Sequence, residues 1–390
     1  MRPRYLLATL LLAGCSGSVL DELRPDPPPT PHARYAASLR AAGLDSTALG
    51  AEWLAAGDSA LAAPLEATLP LRELGSYSRA EARAVAYRVR LRGGERLEVL
   101  LDATGQPTRL YLELFEATGD TAAPFRHLAT AVDGPLTDSA AANLALRHEV
   151  DRDATLLIRL QPELLRSGRY ELRVQAGPSL AFPVEGAGNG AIQSFFGADR
   201  EAGRRSHQGI DIFAPRGTPV LAATAGVVRS TRPNSLGGNV VWLRDEQRGT
   251  SLYYAHLDAH AVVQGQRVEI GDTLGFVGNS GNARTTPPHL HFGIYRRGEG
   301  AIDPLPWVRL ATATPGPLRA DTTRLGVPAR TAPRLAALRA GPSRRDTTLR
   351  EVPAGTSVVV MAATSSWYRV QLDDGTAGYV EANLVRSAVE

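Results

Sequence analysis

The chain has 390 residues, of which 43% are hydrophobic and 21% are charged, a composition typical of soluble protein folded into about two to four domains. Its 43 basic and 40 acidic residues leave a formal net charge of +3. A balance so close to zero argues against binding to nucleic acid and against broad electrostatic attachment to membranes.

Residues 1–14 are typical of a signal peptide rather than of folded structure, because two arginines precede an apolar stretch too short to span a bilayer. The stretch ends in Leu-Ala-Gly-Cys at 12–15, which resembles a bacterial lipobox. The resemblance implies that Cys15, the single cysteine of the chain, is acylated and anchors the protein to a lipid bilayer. The alternative is an ordinary secretory signal with an incidental cysteine. Ser16 after the cysteine favours the outer membrane, facing the periplasm.

Residues 15–33 are predicted to be a proline-rich tether, and an extended polyproline segment of this length reaches on the order of 50 Å. Residues 34–74 are rich in alanine and leucine, with apolar side chains at helical spacing. These side chains are Tyr35, Leu39, Leu44, Trp53, Leu54 and Leu61. The pattern predicts a short helical segment whose role is packing rather than chemistry.

Residues 76–186 alternate between apolar and polar side chains, as β-strands do, on both sides of the turn at Gly93-Gly94. Several short alternating strands with glycine-bearing turns predict a β-sandwich, which resembles the jelly-roll domains found beside secreted bacterial peptidases. His127 and His148 lack neighbours at ligand spacing, so we predict no catalytic site in this domain.

Two histidine motifs stand out in the next region, H-x-x-x-D from His207 to Asp211 and H-x-H from His289 to His291. In an extended chain, residues at even spacing point to the same face, so each motif can present two ligands together. Two imidazoles and a carboxylate suit a divalent metal, zinc above all, and three protein ligands leave a fourth position for water. Each motif alone is a weak signal, but five of the eight histidines lie between 207 and 291.

The surrounding segments carry a family resemblance. They are, in chain order, Phe-Gly at 196–197, His-Gln-Gly-Ile-Asp at 207–211, Ala-Pro-Arg-Gly-Thr-Pro-Val at 214–220, Ala-Gly-Val-Val at 225–228, Gly-Asn-Val at 238–240, Tyr-Ala-His-Leu at 254–257, Gly-Asn-Ser-Gly at 278–281 and Pro-His-Leu-His-Phe at 288–292. On these segments, residues 195–308 resemble the zinc metallopeptidases of the lysostaphin and LytM type, the M23 peptidase family. The resemblance covers under a third of the chain and implies a two-sheet β domain with a groove.

The resemblance also implies residue roles. His207, Asp211 and His291 would hold one zinc ion per chain, and zinc brings the pKa of bound water towards ~7. His256 and His289 match the two histidines of the family that do not bind the metal. One would accept the proton of the attacking water, and the other would stabilise the oxyanion or donate to the leaving amine. The sequence does not decide which does which.

Residues 309–334 contain four prolines and are predicted to be a second linker. Residues 335–387 form a compact β unit that resembles a small bacterial SH3-like barrel, a module that accompanies wall hydrolases. Trp367, Tyr368 and Tyr379 either line an aromatic groove for wall peptide or fill the core of the unit, and the sequence leaves both open.

The fold class expected is therefore mainly β and multidomain. The family resemblance and the lipobox-like segment together imply an exported zinc endopeptidase that cuts peptidoglycan, at D-alanyl-diaminopimelate cross-links rather than at glycine bridges. Two alternatives remain open: a metal-free domain that activates a wall amidase, and a lipoprotein that joins the outer membrane to peptidoglycan. The five intact site positions favour the enzyme. The sequence does not identify a regulator, divisome proteins included, or the oligomeric state.

Overall fold

The computed structural model describes residues 30–105, 109–131, 141–200, 205–311, 313–332 and 335–388. The fold is mainly β, as the sequence predicts, with two helices at the start of the described chain and β units after them. The predicted signal peptide, Cys15 and most of the predicted tether lie outside the described residues. None of the helices in these ranges has the length and apolar character needed to cross a membrane.

Helix α1 covers Pro31–Ala41 and helix α2 covers Ala48–Ala62. Each begins at a threonine whose side-chain oxygen accepts a backbone N–H at 3.2 Å, a standard N-terminal cap. Trp53 of α2 is almost fully buried, and its indole N–H donates to the carbonyl of Pro162 at 2.8 Å. Helix α1 begins at Pro31, three residues before the predicted start at 34. Proline is tolerated in the first turn of a helix, so Pro31 belongs to α1 and not to the predicted tether.

Nine strands follow. They are β1 Leu65–Glu66, β2 Leu71–Tyr77, β3 Val85–Leu91, β4 Glu95–Gly105, β5 Leu110–Ala117, β6 Phe125–Ala131, β7 Ala141–Glu149, β8 Ala154–Pro162 and β9 Gly168–Pro178. One sheet has the order β1-β3-β8-β5-β6, and the facing sheet contains β2-β9-β4-β7. Their inward side chains form one core, so the region is a sandwich. The sandwich starts at β1 and β2 rather than at 76, which corrects the helical prediction for the end of segment 34–74.

The site-bearing unit contains twelve strands and a short helix. They are β10 Ile192–Ser194, β11 Asp199–Arg200, β12 Arg205–Ser206, β13 Ile210–Phe213, β14 Pro219–Leu221, β15 Gly226–Ser230, β16 Asn239–Asp245, β17 Thr250–His260, β18 Arg267–Val268, β19 Thr273–Val277, β20 His289–Arg296, β21 Gly300–Ile302 and α3 Leu305–Val308. The main sheet has the order β10-β13-β20-β17-β16-β15-β18. Valine, leucine and isoleucine from both faces fill its core.

Seven strands form the C-terminal unit. They are β22 Pro328–Thr331, β23 Ala336–Arg339, β24 Thr348–Val352, β25 Ser357–Thr364, β26 Trp367–Leu372, β27 Ala377–Glu381 and β28 Val385–Ser387. The unit is larger than predicted, because β22 and the buried residues Ala320 and Leu325 belong to its core. This corrects the linker predicted at 309–334. Four prolines suggested a linker there, but proline is compatible with an edge or first position of a strand.

The C-terminal unit and the sandwich share one sheet. Strand β25 pairs with β2, with Leu74 opposite Ala363 and Gly75 opposite Ala362. The hydroxyl of Thr364 also donates to the backbone carbonyl of Arg72 at 2.6 Å. The two units therefore form a continuous β structure.

Candidate active site

The predicted site residues lie on three adjacent strands and the turn before one of them. Asp211 on β13 pairs directly with His291 on β20, and the residue before His256 on β17 pairs with His291 from the other side. His289 lies two positions before His291 on the same strand, so both rings project from one face. His207 lies in the short connection from β12 into β13. Antiparallel pairing thus brings together Asp211 and His291, which are 80 positions apart in the sequence.

Three donor atoms form a near-equilateral triangle. His207 Nε2 lies 3.0 Å from Asp211 Oδ1 and 2.9 Å from His291 Nδ1, and His291 Nδ1 lies 3.0 Å from Asp211 Oδ1. Tetrahedral zinc with ligands at about 2.0–2.1 Å separates its donor atoms by roughly 3.3 Å. A small opening of this triangle would admit the ion, and two imidazoles with one carboxylate are a suitable donor set. The residues present therefore fit a zinc ion.

Neighbouring groups orient the three candidate ligands, His207, Asp211 and His291 (the triad), and set their protonation states. The Nδ1–H of His207 donates to the carbonyl of Phe195 at 2.9 Å, which leaves the lone pair on Nε2 facing the other two ligands. Burial alone would raise the pKa of Asp211, but its close contacts with His207 and His291 outweigh burial and hold that pKa well below its usual range. Burial lowers the pKa of His291, which favours the neutral imidazole that binds metals.

Glycine at position 209 allows the triad to close. A Cβ there would lie 2.5 Å from the carbonyl oxygen of Phe292 and 2.8 Å from the ring of His291. No side chain fits at such distances, so any substitution would displace a triad residue.

His256 reaches the site through an irregularity in β17. Its φ of 64° is in the left-handed region, and the register between β16 and β17 shifts close to it. Its backbone N–H donates to Gly237 at 2.8 Å, and its Nδ1–H donates to the carbonyl of Ser280 at 2.9 Å. A non-glycine residue in this conformation costs about 1–3 kcal/mol, and such strain is concentrated at functional sites.

His289 completes the set. Its Nδ1–H donates to the carbonyl of Pro287 at 2.9 Å, and its Nε2 lies 4.0 Å from Asp211 Oδ1. The rings of His256 and His289 are 5.0 Å apart. Both rings donate through Nδ1, so each keeps a lone pair on Nε2. Burial, followed by the charges of His289 and His291, lowers the pKa of His256 to about 4, so this ring is neutral and able to accept a proton near pH 7.

The five residues lie in a cleft of about 590 Å³. Aromatic side chains form one wall: Trp242 lies 4.4 Å from Tyr253 and 5.0 Å from Tyr295 between ring centroids. Arg200 and Gln208 also line the cleft. An aromatic and polar groove of this size can hold an extended chain beside the triad.

Two further polar residues of this domain, His260 and Asn239, have backbone partners. His260 makes a hydrogen bond with the carbonyl of Val240 at 3.0 Å, and the side-chain amide of Asn239 donates to the carbonyls of Leu257 and Asp258. Asn239 therefore ties the start of β16 to the last residues of β17. The predicted lipidation site, Cys15, lies outside the described residues.

Sequence reasoning missed Arg200 and the aromatic wall. Arg200 lies seven positions before His207 and outside both histidine motifs. Trp242 and Tyr295 alternate with buried residues in their strands, a pattern that indicates only an outward face. The sequence pattern therefore predicts that Trp242 and Tyr295 point outward from their strands, but it does not predict that the two side chains line a cleft.

Comparison with known proteins identifies two domains. Residues 205–304 match the model described as Peptidase family M23, and residues 334–386 match the model of the bacterial SH3 domain. The chain thus contains an M23 peptidase domain and a bacterial SH3 domain.

The relatives have different printed activities. The chain is 40% identical over 140 residues to an L-Ala--D-Glu endopeptidase of Bacillus subtilis, across 33% of this chain and 43% of that protein. It is 40% identical over 117 residues to a DD-carboxypeptidase/endopeptidase of Neisseria meningitidis, across 30% of this chain and 25% of that protein. A solved catalytic domain of lysostaphin from Staphylococcus simulans is 30% identical, with 30% of this chain and 89% of that chain covered and a TM-score of 0.28. The chain spans less than half the length of these two curated relatives.

Proposed function

We propose that this protein is a zinc-dependent endopeptidase that hydrolyses peptide bonds in peptidoglycan. The observation that carries the proposal is the triangle of His207 Nε2, Asp211 Oδ1 and His291 Nδ1, with sides of 2.9–3.0 Å, beside two further histidines in a cleft. The match of residues 205–304 to peptidase family M23 supports the same chemistry.

The five residues have separate tasks in this proposal. His207, Asp211 and His291 hold the metal, and bound zinc supplies a Lewis acid that activates water and polarises a carbonyl near neutral pH. His256 and His289 each present an Nε2 lone pair to the cleft, because each Nδ1–H is held by a backbone carbonyl. One accepts a proton from the attacking water, and the other, once protonated, donates to the oxyanion or the leaving amine. Burial lowers the pKa of His256, so its ring is neutral near pH 7, as a proton acceptor must be.

The substrate proposed is the D-alanyl-diaminopimelate cross-link. The relative from Neisseria meningitidis is described as a DD-carboxypeptidase/endopeptidase, whereas the one from Bacillus subtilis is described as an L-Ala--D-Glu endopeptidase. The lipobox-like sequence ending at Cys15 supports export and attachment to the outer membrane, where such cross-links would be accessible. In this location, a glycine bridge is a less suitable substrate.

A direct test is digestion of purified sacculi by the full exported chain, with products identified by mass spectrometry. We expect one zinc per chain and muropeptides cleaved at the D-alanyl-diaminopimelate bond. Products cut only between L-Ala and D-Glu would refute the proposed cross-link as the substrate, while the assignment as an endopeptidase would stand. Absence of any cut peptide bond, with zinc bound, would refute the endopeptidase. Stimulation of a separate amidase without zinc binding would favour the activator alternative.

Wall binding by the C-terminal unit is a second proposed function, and a cleft of about 910 Å³ on this unit supports it. Arg319 and Arg386 line the cleft, so its chemistry suits an acidic wall peptide. Trp367 and Tyr368 border it, but both side chains are buried and belong to the hydrophobic cores. Tyr379 does not contribute to this surface. Its side chain is fully buried and donates to Glu73 of the sandwich, so Tyr379 has the core role, one of the two roles that the sequence left open.

Cosedimentation of the full chain with sacculi tests the wall-binding role, with His291→Ala as background to prevent digestion. Replacing Arg319 and Arg386 by glutamine should weaken binding, while the same replacement of the remote, exposed Arg216 should not. Unchanged cosedimentation of the double variant would remove the cleft from the proposal.

A further inference from the structure

Arg200 contacts the metal triad from outside the recognised motifs. It lies on β11, which pairs with β12 in the two-stranded sheet just before His207. Its Nη2 group donates one hydrogen bond to Asp211 Oδ2 at 2.5 Å and another to Ser194 Oγ at 2.7 Å. Ser194 in turn pairs with Asp211 between β10 and β13, so the guanidinium bridges two neighbouring strands.

The two oxygens of Asp211 have different partners. Oδ1 lies 3.0 Å from a nitrogen of each triad histidine, whereas Oδ2 accepts from Arg200. A carboxylate with both oxygens free can bind a metal through one or both, and the second mode raises the coordination number. A hydrogen bond from a guanidinium to Oδ2 opposes that change. Because Asp211 is 5% exposed, water cannot readily replace this partner.

Arg200 also influences the first histidine ligand. Ser194 Oγ lies 3.2 Å from His207 Nδ1, the atom that donates to the carbonyl of Phe195. One guanidinium group therefore restrains the carboxylate ligand directly and the neighbourhood of His207 through Ser194. Metal sites depend on such outer partners, whose loss typically costs about 10–100-fold in metal affinity or activity.

We infer that Arg200 is a positioning residue that keeps Asp211 a one-oxygen ligand and preserves an open coordination position. The inference rests on the proposed function to the extent that the site takes zinc. It assigns no contact between Arg200 and substrate. The effect comes from the two directed hydrogen bonds of Arg200 Nη2, to Asp211 Oδ2 and Ser194 Oγ, and not from positive charge alone, since a cation beside a zinc site by itself disfavours the ion.

The test uses the full exported chain and three variants: Arg200→Gln, Arg200→Lys and Arg216→Gln. Arg216→Gln is the matched control, because it removes the same charge from an exposed arginine that contacts Asp258 and Asn279 outside the cleft. Zinc dissociation constants are measured by competition with a coloured chelator. Visible spectra of the cobalt-substituted proteins report the coordination number, since absorption weakens as a tetrahedral site gains a ligand.

We expect Arg200→Gln to weaken zinc binding about 10-fold or more and to reduce the cobalt absorption, with the control unchanged. Arg200→Lys, which keeps the charge on a shorter side chain without the planar guanidinium, should show the same cobalt change. Both Arg200 variants should fold, because the arginine side chain is 36% exposed. If only one of the two Arg200 variants folds, the zinc affinity and cobalt spectrum of that variant decide the test.

Wild-type zinc affinity and cobalt spectra in the Arg200 variants would overturn the inference while leaving the endopeptidase proposal intact. Tighter zinc binding by Arg200→Gln, restored by lysine, would overturn it in favour of a purely electrostatic effect. Failure of the unaltered protein to bind zinc would instead overturn the proposed function.

Discussion

Replacing Arg369 by methionine tests whether the C-terminal unit and the sandwich form one folding unit. Arg369 is buried on β26, and its Nε donates at 3.2 Å to Glu73, which is 0% exposed on β2. Burial alone would lower the pKa of Arg369, but the charge of Glu73 raises it well above its usual value. The same carboxylate accepts from the hydroxyls of Tyr87, Tyr170 and Tyr379 at 2.5, 3.3 and 2.8 Å.

The expected destabilisation follows from the carboxylate left behind. Removing one partner of a buried ion pair costs about 3–5 kcal/mol, because the other charge loses its compensation. Methionine keeps most of the arginine volume, so a cavity adds little. The three tyrosine hydroxyls still solvate Glu73, which places the loss for Arg369→Met near the lower limit, about 3 kcal/mol. Glu73→Gln combined with Arg369→Met removes the unpaired charge and should recover at least about half of that loss.

Urea unfolding of the full chain, followed by calorimetry and limited proteolysis, provides the measurement. In Arg369→Met, the sandwich and the C-terminal unit should lose stability together, while the M23 domain keeps its own transition. Arg350→Gln is the control, because its ion pair with Asp374 is exposed and such pairs contribute only ~0–1 kcal/mol. A loss below about 1 kcal/mol, or unfolding of the C-terminal unit alone, would refute the reasoning.

Four further predictions concern the site and the anchor. His291→Ala should lose zinc and activity together; full zinc occupancy by metal analysis would contradict its role as a ligand. His256→Ala and His289→Ala should keep zinc and lose about 10²–10⁴-fold in turnover of a muropeptide, and a near-normal rate would exclude either residue from catalysis. Cys15→Ser should move the protein from the membrane to the soluble fraction while digestion of sacculi persists; an unacylated, soluble wild type would disprove the anchor. Because the pKa of His256 is lowered to about 4, the folded chain binds fewer protons than the unfolded one between pH 6.5 and 4. Metal-free protein should therefore lose up to about 3 kcal/mol as the pH falls through this range, and His256→Gln should reduce that dependence in denaturant titrations.

Several features were predictable because they depend on local pattern. Alternation over the strands and glycine-bearing turns predicts the mainly β class, and even spacing places His289 and His291 on one face. The M23 and SH3 resemblances were recognisable from contiguous motifs, and the comparisons identify the same two domains. The three candidate ligands were also named from the sequence, and the fold brings their donor atoms within 3.0 Å of one another.

Other features depend on contacts between distant parts of the chain. No local signal pairs β2 with β25, nearly 290 residues later, or assigns Arg369 to Glu73. The same limit applies to Arg200, whose relation to Asp211 requires the β11–β12 hairpin to lie beside β13.

The sequence alone determined which side chains could bind a metal and which two could transfer protons, because side-chain type and strand alternation can both be read from short segments of the chain. The tertiary structure decided which oxygen of Asp211 faces the triad, which ring nitrogen of His207, His256 and His289 donates to a backbone carbonyl, and that the C-terminal unit shares a sheet with the sandwich. Those outcomes depend on long-range strand pairing and on the partners that burial forces polar groups to find.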